Sequence, residues 1–104
     1  MRHQLVIQFP ATSMDDFDRL ISFEGSIEEQ LGDSAELDGH DFGSGEFNIF
    51  VLTDVPAAIF EKVHEAAKKQ PRLLQSGMRA AYRDLGGEDF TILWPPNLKK
   101  FSIA

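Results

Sequence analysis

The sequence predicts an α+β fold, a ferredoxin-like split βαβ antiparallel sheet with two helices on one face and an extra C-terminal strand. Three observations carry this reading. Two segments repeat apolar residues at helical spacing. Several shorter segments alternate apolar and polar residues, or are rich in β-branched and aromatic ones. Their order along the chain is strand, helix, strand, strand, helix, strand, strand, and the first six follow the split βαβ plan. The length of 104 residues suits one domain, residues 1–104.

In order, Leu5, Ile7 and Phe9 alternate with Val6 and Gln8, and Pro10 stops that strand. Ser13 is a good N-cap, with Asp15 and Asp16 where the positive helix end favours acids. Phe17, Leu20, Phe23, Ile27 and Leu31 then recur at spacings of three and four, which predicts a helix over about Met14 to Leu31. Gly32 is its stop. Ala35 to Phe42 is polar but extended in character. Gly43-Ser44-Gly45-Glu46 is a turn, and Phe47 to Thr53 is the strongest strand in the chain. If the turn occupies those four residues, Asp41 falls opposite Asn48.

Asp54 is the expected N-cap of the second helix, with Pro56 in its first turn. Ile59, Phe60, Val63, Ala66 and Ala67 form its apolar stripe, Lys68 and Lys69 suit its last turn, and Pro71 marks its end. Met78 to Leu85 and Phe90 to Trp94 are extended, separated by a turn at Gly86-Gly87-Glu88-Asp89 and closed by Pro95-Pro96. The tail, Asn97 to Ala104, carries Phe101 and Ile103. Phe47, Ile49 and Val51 lie on one face of their strand, Phe50 and Leu52 on the other. One apolar set therefore faces away from the helices, to be covered by the tail or by a second subunit.

Composition narrows the function classes. Seventeen acids against ten bases give a net charge of −7. The imbalance is concentrated: Met14 to Glu46 holds eleven acids and one base, Arg19, whereas Phe47 to Ala104 is slightly basic. Such asymmetry either keeps a surface solvated or steers a basic partner, and it argues against nucleic acid. Cysteine is absent, which excludes disulfides, thiolate metal sites and a cysteine nucleophile and fits a cytoplasmic location. No apolar run approaches the ~20 residues of a membrane helix, and the broken N-terminal run is no export signal.

The chemistry-bearing stretch runs from Asp38 to Asn48. Asp38, His40, Asp41, Ser44, Glu46 and Asn48 surround three glycines there and form the candidate binding set. Consecutive turn amides can make an anion nest. Yet the glycines join two strands rather than open a helix, and no lysine follows, against a phosphate loop. Asp38, Asp41 and Glu46 offer oxygen ligands without EF-hand spacing. Ser44 and His40 lack a nucleophile elbow. No catalytic residue, metal ligand or cofactor is therefore assigned. His3 and His64 each stand alone and read as solvent-facing or locally bonded. Lys68, Lys69, Arg72, Arg79 and Arg83 make a local basic run, without the aromatic pattern of an RNA-binding sheet. Trp94 reads as a packed strand end.

The run from Asp38 to Phe50, Thr53-Asp54, Tyr82-Arg83 and Leu93-Trp94-Pro95-Pro96 resembles a set of small, single-domain bacterial proteins of uncharacterised function. They share a DGxDxGSGExNIF hairpin and a WPP strand end. The resemblance covers roughly residues 35–101 and implies a bacterial, cytoplasmic, stand-alone domain, with no catalytic residues. The expected function is a non-catalytic binding or interaction module with an acidic surface. Its partner is another protein or a second copy, and a small-molecule ligand stays open. Two alternatives remain: a small-molecule enzyme using His40, Asp41 and Glu46 as acid–base groups near the hairpin, or a toxin-immunity protein.

Overall fold

The structure is a computed structural model that describes residues 2–103. The fold is α+β. Five strands, β1 (His3–Pro10), β2 (Ala35–Gly43), β3 (Glu46–Thr53), β4 (Arg79–Asp84) and β5 (Thr91–Trp94), form one antiparallel sheet in the order β2-β3-β1-β4-β5. The helices are α1 (Met14–Leu31), α2 (Pro56–Lys68) and a short α3 (Pro71–Gln75), with a 3-10 turn over Gly32–Ser34. No helix among the described residues is long and apolar enough to cross a membrane.

Helix α1 begins where its sequence says it should. Ser13 has extended backbone, and its Oγ accepts a hydrogen bond from Asp16 N–H at 3.1 Å. The Asp16 carboxylate reaches back to accept from Thr12 N–H at 3.0 Å, a close relative of the reciprocal capping box. That bond, more than those from Ser13 or the charge of Arg19, holds the Asp16 carboxyl below its ordinary range. Gly32, at φ 64°, ends the helix.

Two expectations at helix ends are corrected. The N-cap of α2 is Val55, without a side-chain cap bond, because Pro56 takes the first helical position. Asp54 instead accepts from the Arg2 backbone N–H at 2.7 Å, tying β1 to the end of β3. Pro71, read only as a stop, also starts α3. A proline fixes φ for a first turn as readily as it breaks a preceding one.

The core lies between the helices and one face of the sheet. Leu5, Ile7 and Phe9 of β1, Phe47, Ile49 and Val51 of β3, and Ala80 of β4 meet Leu20, Phe23 and Ile27 of α1. Ile59, Phe60 and Val63 of α2 join the same cluster. Phe9 and Phe23 meet edge to face with centroids 5.7 Å apart.

Val6 and Ala81 are also fully buried, on the other face. The C-terminal tail crosses that side. Gln8 Nε2 donates to the Ser102 carbonyl at 2.9 Å, and Phe101 packs on Phe90 at 4.9 Å. Arg83 lies 4.9 Å over the Phe90 ring and donates from Nε to Gln4 Oε1. The tail thus supplies cover for the apolar set that faces away from the helices, with Phe50 and Leu52 left half-buried.

Candidate functional site

The β2–β3 hairpin turns on Ser44 and Gly45, whose φ angles of 55° and 79° are those of the two central residues of a type I′ turn. Gly43 and Glu46 flank it, and Asp41 pairs with Asn48, as the turn position requires. A bulge intervenes further along. The register passes from Leu37↔Val51 to His40↔Ile49, so β2 carries one extra residue, and Gly39 there has φ 89°. The bulge resets the alternation. His40 and Phe42 face the helices with Leu37, while Asp41 faces the other way.

The six candidate residues therefore separate. Asp38 stands exposed in the bulge and Asp41 is exposed on the tail-facing side. Asn48 is buried and accepts a hydrogen bond from Gln8 Nε2 at 3.0 Å. Ser44 and Glu46 line a cavity at the turn. His40 joins α1 instead. Its Nδ1 lies 3.0 and 3.2 Å from the two carboxylate oxygens of Glu24. Its ring stacks on Phe47 with centroids 5.0 Å apart and planes at 15°, with Phe17 at its edge.

Glu24 was missing from the candidate set, although the sequence carries its signal. It falls four residues after Leu20 and three before Ile27, inside the apolar stripe of α1. Its side chain is 11% exposed and that of His40 32%. The pair fixes the imidazole against the helix–sheet layer, and neither residue lines either of the two cavities described below. His40, Asp41 and Glu46 thus occupy three different places. Among the described residues no three His, Asp or Glu side chains gather as metal ligands would.

The turn cavity has a volume of about 280 Å³. Gln8 and Pro10 come from β1, Ser44 and Glu46 from the hairpin, and Gly77 and Arg79 from the entry to β4. Gly77 has φ 111°, a backbone conformation that favours glycine, and lies beside the Pro10 ring. Gln8, Gly77 and Arg79 lay outside the candidate set, because their meeting depends on the β1–β4 pairing, in which Gln8 faces Arg79.

A second cavity, of about 360 Å³, lies between His3 and Tyr82 and the first turn of α2. His3 Nε2 pairs with Asp84 at 3.1 Å, whereas its Nδ1 is enclosed without a partner. His64 stacks on Phe60 at 5.4 Å and lies 4.5 Å from Trp94, so that histidine and the tryptophan form a packed strand end. The basic run does not act as a unit: Lys68 pairs with Glu65, Arg83 with Gln4 and Phe90, and Arg79 faces the turn cavity.

Comparison of the chain with protein-family models, with curated proteins and with solved structures finds no match.

Proposed function

We propose that the chain is a non-catalytic protein-binding module on a ferredoxin-like frame, presenting its acidic side to a basic partner. The strand order supports the frame. β1 and β2 both run antiparallel to β3, and β3 and β4 both run antiparallel to β1, so each helical crossover links parallel strands.

The observation that carries the binding role is the α1–β2 side. Asp15, Asp18, Glu28 and Glu29 of α1, Asp33 after it, and Glu36, Asp38 and Asp41 of the β2 edge strand are all exposed, with Glu36 and Asp41 on the tail-facing side of that edge. None of these eight makes an ion pair or side-chain hydrogen bond with another described residue. β2 is also the open edge of the sheet. Like charges along that edge repel a second copy and attract a cationic surface, which favours a different protein over self-association.

The experiment is zero-length carbodiimide cross-linking, which joins carboxylates to lysines. The wild-type chain should cross-link to a basic protein through Asp18, Glu28, Glu29 or Glu36. A variant with Asp18, Glu28, Glu29 and Glu36 changed to Lys should lose that product. Capture unchanged by the four reversals, or cross-links confined to other carboxylates, would overturn the proposal.

A further inference from the structure

We infer that the turn cavity binds a small zwitterion of the α-amino acid class, with the ligand carboxylate on Arg79 and its ammonium on Gln8 Oε1. Gln8 is 3% exposed. Its Nε2 is occupied twice, by Asn48 Oδ1 and by the Ser102 carbonyl. A carbonyl accepts only from the nitrogen end, so Ser102 fixes the orientation of the amide and leaves Oε1 as the free end. Oε1 takes no hydrogen bond from a described residue. Among the described residues the one enclosed side-chain atom without a partner is His3 Nδ1, so Gln8 Oε1 opens to space. The space beside Gln8 is the turn cavity. A nearly buried acceptor on a cavity wall calls for a donor.

Arg79 is the cross-strand partner of Gln8, so both side chains leave the sheet on the same face, with Cβ atoms about 5 Å apart. Its guanidinium makes no ion pair or hydrogen bond with another described residue. A planar fork of donors matches a carboxylate. A donor fork and a lone acceptor this close together fit a ligand whose carboxylate and ammonium are one carbon apart. A simple carboxylate would engage only Arg79, and a simple amine only Oε1. The volume of about 280 Å³ accommodates a small amino acid. Glycine at 77 keeps one wall free of side chain.

The test is NMR titration of the ¹⁵N-labelled full chain with L-alanine, acetate and methylammonium in turn. L-alanine should give saturable shifts at the Ser44, Gly45 and Gly77 amides and at Arg79 Nε–H. Acetate and methylammonium should each bind at least about tenfold more weakly. Arg79→Gln should weaken L-alanine binding at least about tenfold and leave the remaining amides in place. Arg79→Lys, which keeps the charge and loses the fork, should fall between. Absence of saturable shifts with L-alanine, acetate binding as tightly as L-alanine, or unchanged affinity in Arg79→Gln would each overturn the inference.

Discussion

On the α1–β2 side, eight carboxylates stand in solvent and make no ion pair with another described residue. At the turn cavity a single guanidinium stands beside a nearly buried amide. The two regions gather polar groups by opposite means. Carboxylates on an exposed helix face and sheet edge owe nothing to packing, so they are free to serve a partner without burdening the fold. Gln8 cannot be changed so freely. Its amide joins β1 to Asn48 of β3 and to the tail, and its side chain forms part of the cavity wall. Polar residues on the acidic side should therefore be dispensable for stability, and Gln8 should not.

The scale is set by the core. Phe23→Ala should lose about 3–5 kcal/mol in urea unfolding, because its ring is fully buried against Phe9. A loss of that size at any of the eight exposed acids would break the contrast.

Gln8→Leu comes next. It leaves the Ser102 carbonyl and Asn48 Oδ1 without their donor, for an expected loss of about 1–3 kcal/mol. The tail should loosen as well, with faster tryptic cleavage at the exposed Lys99 and Lys100. A Gln8→Leu/Asn48→Leu double variant should recover part of the loss, since it removes both members of the buried pair.

At the helix cap the effect is smaller. Ser13→Ala should cost about 1 kcal/mol. The Asp16 carboxyl is held below its ordinary range, first by Thr12 N–H. Its contribution is therefore complete above the unfolded carboxyl range and is lost as pH falls through the lowered folded value. Asp16→Asn should flatten that part of the acid limb of stability against pH. An unchanged acid limb would show that the cap bond does not persist in solution.

The smallest effect on stability belongs to the four reversals Asp18→Lys, Glu28→Lys, Glu29→Lys and Glu36→Lys. Each exposed position should change stability by no more than about 0.5 kcal/mol. Positive charge at 28 and 29 also lies near the C-terminal end of α1, where the helix dipole favours it.

The same contrast governs what could be read from residues alone. The Ser13 cap, the α1 stripe and the Asp41↔Asn48 register follow from local spacing and turn chemistry, and the structure has them. The acidic side was visible as a charge count, because exposure needs no partner. The cavity was not visible. Gln8 and Ser102 are 94 residues apart, and nothing in either segment announces the other. The bulge at Gly39 was equally hidden, since one extra residue moves His40 to the helix-facing side and toward Glu24. A turn position fixes register only as far as the first bulge. Val55 replaced Asp54 as a cap for a similar reason: Asp54 had an offer from Arg2, across the chain.

The most direct test of the proposed role is the salt dependence of the complex formed with the cross-linked partner. Affinity for the wild-type chain should fall steeply as ionic strength rises from about 0.05 M to about 0.5 M, as screening shortens the reach of exposed charge. In the four-reversal variant binding should be lost already at the low end, with cooperative unfolding retained. Binding that ignores salt and survives the reversals would contradict the account, because the acidic side would then have no part in it.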